Sequence, residues 1–339
     1  WDRSGGDFYE VPGRGEMSDF ARNNRRVVKN TVFLYVRMMF TMVIGFFSTC
    51  LALQFLGAEN YGLANVVGSA VLMFGFIMAT MQTATLRFYT FELGRGDIRA
   101  LKEVVGTSLL IFVLLALLAG LLLETVGLWV LETKIIIPTG REAAAFWFFQ
   151  FMALAFCLNI LTVPFSALTI AHEDMGLFAV ISIGEAVLRL AMLFLLKLGL
   201  CDSLALYGGI LAAVSVARLM AFAVMCVHRY PEGSFVLLWR RVLFFRILSF
   251  SGWNLWGAIA GILAGSWVNI LLNNYCGAVV NAGKAIATQI NTMTSQFANN
   301  FLMSVNPQIV KYHAQDELVQ RDKLVARASK IGFSLYLLV

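Results

Sequence analysis

Eight long apolar stretches run through this chain, and they restrict its fold more than any motif does. An apolar run of about 20 residues can cross the roughly 30 Å hydrocarbon layer as a helix. The spans are read near Asn30–Leu56, Tyr61–Ala84, Val104–Val130, Ala143–Ile170, Asp174–Leu196, Ser203–Val227, Phe250–Leu272 and Val279–Val305. A ninth apolar run begins near Lys330. Lipid admits only helices or closed barrels, because every backbone polar group must find its partner internally. The short alternating segments of a barrel are absent from the sequence. Charged residues make up only 14% of the chain, against about 25% in soluble domains. Mean hydropathy is +0.77. The expectation is an all-α polytopic membrane protein.

Basic residues alternate from loop to loop. Arg22, Arg25, Arg26 and Lys29 precede the first span, and Arg87, Arg95, Arg99 and Lys102 follow the second. Arg229, Arg240, Arg241 and Arg246 follow the sixth; Lys311, Arg321, Lys323, Arg327 and Lys330 follow the eighth. The other loops hold only Lys134, Arg141 and Lys197. Short loops rich in Lys and Arg stay inside, so the N-terminus and even-numbered loops are expected in the cytoplasm. The net charge of +6 then belongs to membrane margins, where anionic lipid attracts it, and calls for no nucleic-acid partner. Phe235–Phe245 reads either as an amphipathic helix on the inner surface or as a plain linker.

The organisation follows from these segments. Residues 1–16 are polar and Gly-rich and read as a non-native or upstream segment, ahead of a start at Met17. Residues 17–29 form a basic cytoplasmic N-terminus, 30–230 a first lobe of six helices, 231–249 a cytoplasmic linker and 250–339 the start of a second lobe. The chain reads as part of a longer protein. FLGAENYGLA at Phe55 and YCGAVVNAGKA at Tyr275 align on Gly57–Ala58 and Gly277–Ala278. An offset of six helices suggests duplicated lobes around a central site.

The five cysteines show no metal-ligand or redox spacing. His172, His228 and His313 fall at loop positions, so no metal or cofactor is called for.

Ionisable residues within spans are the chemical signal. Arg37 lies in the first span, Glu185 and Arg189 in the fifth, Arg218 in the sixth and Lys284 in the eighth. The four cations would oppose insertion by roughly 10 kcal/mol if all faced lipid. Glu185 and Arg189, four apart, share a helix face and can pair. Arg37 can face a cavity or snorkel outward, Arg218 is expected to face a cavity, and Lys284 the interface. Gln289, Gln296 and Asn300 share one face of the eighth span; they can bond neighbouring helices or sugar hydroxyls. Pro164 should kink the fourth span. Gly257, Gly261 and Gly265 form a stripe that permits close helix approach.

Several blocks carry a family resemblance. NTVFLYVRMMFTMVIGFFS at Asn30, LGAENYGLANVVG at Leu56, ATLRFYTFELGRGD at Ala84, FSGWNLWGAIAG at Phe250 and FLMSVNPQIVKYHAQ at Phe301 resemble polysaccharide-transport proteins. These are the O-antigen flippase (Wzx-like) branch of the MOP flippase superfamily. The resemblance implies the MOP/MATE-like fold of two six-helix lobes, alternating access, and a bacterial inner-membrane location. It implies an undecaprenyl-pyrophosphate-linked oligosaccharide as cargo, with polymerase and assembly proteins of surface polysaccharide (lipopolysaccharide, O-antigen) as candidate partners. Arginine suits phosphate oxygens, so Arg37, Arg189 and Arg218, with Glu185 as counter-ion, are the expected pyrophosphate site. Gln289, Gln296 and Asn300 are expected to serve the glycan.

A MATE-like cation or drug antiporter would instead need an embedded carboxylate without a neighbouring cation, and Glu124 comes nearest to one. An integral-membrane enzyme of glycan assembly needs a large catalytic loop, and Leu131–Glu142 is too short to supply one. The chain is not read as an enzyme.

Overall fold

Aspartates punctuate the chain where helices begin. In the computed structural model, Asp97 accepts from the backbone N–H of Arg99 and Ala100 to cap one helix. Asp174 and Asp202 cap two more through the N–H of Leu177 and Leu204, each satisfying a donor that the first turn leaves free. The structure describes residues 14–72, 75–133, 137, 140–198, 202–232 and 239–338. Side chains are described from residue 26 onward, except at 69–70, 72, 76–77, 79, 254–255, 258–259, 261–286, 289–290, 293 and 335–338.

The helices are α1 (Arg14–Leu72), α2 (Gly75–Arg95), α3 (Ile98–Leu122), α4 (Leu128–Thr133), α5 (Glu142–Ala171), α6 (Met175–Leu193), α7 (Ser203–Arg229), α8 (Arg241–Ala314) and α9 (Leu318–Leu338). No strand occurs among the described residues. Five helical stretches are long and apolar enough to cross a membrane: Arg26–Gly68, Ile98–Thr133, Glu142–Ala171, Met175–Leu198 and Ser203–Arg229. Phe46, Leu117, Leu121 and Val180 each keep more than 60% of their surface exposed. Apolar exposure on this scale suits a lipid surround and not water. This is a multi-pass membrane protein.

α5 sits at the centre. In its most apolar stretch 61% of residues are buried, against 17% for the α1 stretch and for α6, so α5 packs against protein on most sides. Gly208 of α7 makes this packing possible, since a Cβ there would come within 3.0–3.2 Å of Phe148 and Phe151. Tyr207 then stacks on Phe148 at 6.0 Å. Between α3 and α4, a π turn at Leu123–Gly127 presents Glu124, which accepts from Gln150 Nε2 at 3.1 Å.

Two long helices are each a folded-back pair. α1 contains a non-helical residue, Gly57, at φ 77°, a conformation glycine adopts without a Cβ penalty. α8 has 74 residues and would stretch about 110 Å if straight. Yet Phe250 near its start packs on Phe88 of α2, and Lys311 near its end lies against Gly94 of α2. Both ends of α8 therefore meet the same end of α2, and the helix must double back between them. The sequence repeat falls at Gly277–Ala278, whose side chains lie outside those described.

Several sequence expectations shift in detail. The amphipathic helix expected over Phe235–Phe245 is not one element: Trp239 and Arg240 are non-helical, and α8 starts at Arg241 inside the expected linker. α5 runs through Pro164 unbroken. Of the glycine stripe, Gly257 faces open space, and Gly261 and Gly265 lie outside the described side chains. Close approach falls at Gly94, Gly127 and Gly208.

The second half of α8 closes on the first lobe at the end that carries the basic loops. Thr31 and Ser304 share a hydrogen bond of 2.7 Å, and Tyr35 donates to the Phe297 carbonyl at 3.3 Å. Glu173, in the α5–α6 turn at φ 59°, anchors the seam. Lys311 donates to its Oε1 at 2.5 Å and Gln308 to its Oε2 at 3.1 Å. Arg26 lies 3.6 Å from Oε2, and Asn30 donates to the Glu173 carbonyl at 3.0 Å.

Candidate functional site

Above that closed seam lies a cavity of about 410 Å³ between α1, α6 and α7. Arg37 of α1 lies 11 residues beyond Arg26, about 16 Å along the helix. Arg218 is equally far from the Arg229 end of α7, so both guanidiniums enter at mid-membrane depth. Arg189 enters from α6, and all three line the cavity with Glu185.

Glu185 is shared. Arg189 Nη2 lies 3.4 Å from its Oε1, and Arg218 Nη1 lies 3.4 Å from its Oε2. Charge-assisted bonds of this kind normally close to about 2.7–2.9 Å, so neither arginine is tightly held. Arg37 has no carboxylate partner among the described residues. It lies 5.0 Å from the centroid of the Phe178 ring and donates to Asn300 Oδ1 at 2.9 Å. The Nε atoms of Arg37 and Arg218 are buried and find no acceptor among the described residues. Three guanidiniums against one carboxylate leave the cavity two positive charges in excess, with N–H groups still to satisfy.

The remaining wall carries hydroxyls and two phenols. Thr41, Gly45, Ser48 and Thr49 line the cavity from α1, Ser182 from α6, and Tyr61 and Tyr207 from either side. Thr41, Gly45, Ser48 and Thr49 recur at one-turn spacing on the first span, a small polar face that sequence periodicity could have revealed. Tyr61 and Tyr207 carry no such signal, because each is brought in by tertiary packing.

The residues read as glycan contacts spread out. Asn300 is buried and meets Arg37. Gln296 is exposed, is not among the cavity's lining residues, and offers only its carbonyl to Asn300. The side chains of Gln289 and Lys284 lie outside those described.

A second polar group sits at the basic end. His172 stacks on Tyr230, with ring centroids 4.1 Å apart, and its Nε2 is 3.9 Å from Glu232. Burial holds His172 below its usual pKa, against the opposing pull of Glu232. Burial raises the Tyr230 phenol above its usual range.

A long helical bundle with a polar cavity within its first lobe and a second lobe closed on one end of it has the fold of MOP/MATE transporters. An outward-facing multidrug-resistance MATE transporter of the MOP superfamily matches 92% of this chain at TM-score 0.77 and 12% identity, over 70% of its own length. A MATE protein in its bent conformation matches 95% at TM-score 0.78 and 13% identity, over 72% of its length. A MOP superfamily transporter from Pyrococcus furiosus, described by a binding pocket of reverse polarity that suggests a different function, matches 92% at TM-score 0.74 and 13% identity, over 70% of its length. At such identities the likeness establishes the fold. No protein-family profile and no curated protein sequence matches the chain.

Proposed function

We propose that the chain belongs to a flippase that carries an undecaprenyl-pyrophosphate-linked oligosaccharide across the bacterial cytoplasmic membrane, with its N-terminus inside, for surface polysaccharide assembly. The carrying observation is the cavity's charge: three arginines around one shared carboxylate. A pyrophosphate must leave water to cross the bilayer, and planar guanidinium donors replace that hydration. The long Glu185 contacts let phosphate oxygens take over either arginine, while Tyr61, Tyr207 and the α1 hydroxyls offer sugar-compatible partners. The fold neighbour whose pocket of reverse polarity suggests a different function supports weighing pocket charge when function is read within this fold.

The multidrug neighbours favour a second reading, a cation or drug antiporter. That reading needs a free carboxylate in the cavity. Both oxygens of Glu185 face arginines, and Glu124 is not among the residues that line the cavity.

The deciding experiment deletes the full-length gene and profiles membrane lipids by mass spectrometry. The flippase reading expects an undecaprenyl-pyrophosphate oligosaccharide to accumulate and surface glycan to disappear. The wild-type gene should restore export, and Arg189→Gln/Arg218→Gln should not. Unchanged lipid intermediates with normal surface glycan would favour the antiporter.

A further inference from the structure

A second cationic pocket, of about 400 Å³, lies at the basic end of the molecule, away from the central cavity. The last two turns of α2 form one wall with Arg87, Phe88, Phe91, Glu92 and Arg95, and the start of α8 forms the other with Leu243, Arg246 and Phe250. Phe88 and Phe250 meet edge to face, with centroids 6.1 Å apart and planes at 82°. An arginine lies on each side of that pair. Arg87 Cζ is 4.7 Å from the Phe250 centroid, and Arg246 Cζ is 5.9 Å from the Phe88 centroid. Arg95 lies over Phe91 at 5.9 Å and approaches Glu92 no closer than 3.9 Å.

The arrangement fixes guanidinium planes by stacking, which leaves their N–H edges free to bind. Among the described residues neither Arg87 nor Arg246 meets a carboxylate, so the pocket has three cations against the single charge of Glu92. The adjoining surface on α8 is apolar and exposed: Val242 at 80%, Phe245 at 54% and Leu248 at 44%. Such a surface needs lipid chains beside it. A cationic pocket opening onto an acyl-facing surface at a membrane margin is the setting in which acidic headgroups bind. We infer that Arg87, Arg246 and Arg95 bind the phosphodiester of an anionic phospholipid, seating it between α2 and the start of α8 with its chains along Phe245 and Leu248.

The position gives the bound lipid something to do. Gly94, in the same turn of α2 as Arg95, lies against Lys311 and Ala314 at the lobe seam, and Arg240 pairs with Glu103 of α3 just before α8 begins. A phosphate held here therefore joins the first lobe to the leading end of the second.

The test uses the purified chain in nanodiscs of phosphatidylcholine containing a minor fraction of phosphatidylglycerol, with retained lipid counted by native mass spectrometry. A basic residue near an anionic surface accounts for about fivefold in affinity, so Arg87→Gln/Arg246→Gln should weaken phosphatidylglycerol retention about 25-fold. Arg241→Gln, outside the pocket, should cost no more than the roughly fivefold of one margin charge. Equal retention by the double variant overturns the assignment. A photoactivatable phosphatidylglycerol on the unaltered chain reads the site without mutation. Labelling at Phe88, Phe91 or Phe250 supports it, and labelling confined elsewhere refutes it. Displacement of the photolipid by glycerol 1-phosphate alone would assign the pocket to a soluble phosphate and also overturn the lipid proposal.

Discussion

Replacing Lys311 with Met should release the seam between the lobes. The Glu173 side chain is 3% exposed, and Lys311 Nζ is its nearest cation at 2.5 Å. Removing one member of a buried ion pair leaves an uncompensated charge and typically costs 3–5 kcal/mol. Gln308 at 3.1 Å and Arg26 at 3.6 Å remain. Arg26 is 56% exposed and screened by water, so it compensates weakly, but together with the Gln308 bond it puts the loss at the lower end, about 3 kcal/mol. That loss falls on the closed state alone, because an opened seam lets water solvate Glu173. At 1.4 kcal/mol per factor of ten, the closed-to-open ratio should drop about 100-fold. Spin labels at Arg99→Cys and Gln315→Cys, in a background without the native cysteines, report the gap by double electron–electron resonance. Lys311→Met should add a longer distance, and Lys311→Arg should keep the short one. A folded Lys311→Met protein with an unchanged distance distribution would refute the argument.

Gly94→Ala should act on the same seam by a different route. The new Cβ would sit 2.8 Å from Ala314 Cβ and 2.9 Å from Lys311 Cα. Backbone cannot swing aside, so about 1–3 kcal/mol of overpacking should appear as a longer label distance or a lower melting temperature. In the cavity, Arg189→Gln and Arg218→Gln should each abolish glycan export while leaving membrane insertion intact, read by surface-glycan staining and membrane fractionation. Full export by both would sink the pyrophosphate assignment. His172 should make stability pH-dependent. Its folded pKa lies below the unfolded value of about 6.5, so the unfolded chain binds more protons as pH falls, and stability declines below that pH. The melting temperature in detergent should drop from pH 7.5 to pH 5, and His172→Phe should flatten the slope.

The all-helical fold was legible because lipid leaves few choices: long apolar runs must be helices. The Glu185–Arg189 pair was legible too, since a four-residue spacing fixes a shared face before any tertiary contact forms. Arg218 as the second partner of Glu185 was not, because the pairing depends on how α6 leans on α7. The same holds for the seam. Glu173 sits in a three-residue turn that looks like ordinary loop, and its partners Gln308 and Lys311 lie 135 and 138 residues away. Gln296 shares a helix face with Asn300 by spacing, yet its side chain is exposed while Asn300 is buried. That face is broad, and of its two described side chains Asn300 is the one that meets Arg37. Glycine spacing did not point to Gly94 and Gly208, where helices approach closely, because that closeness is set by tertiary packing.

Arg37 faces the cavity from the first lobe and bonds Asn300 in the second, so one side chain belongs both to the binding site and to the contact that holds the lobes together. An anion that draws Arg37 away from Asn300 must spend part of its binding free energy on loosening the lobes. Linkage makes the relation reciprocal. Any change that loosens the lobes first, such as Asn300→Ala, should tighten anion binding by the same factor by which the anion favours opening.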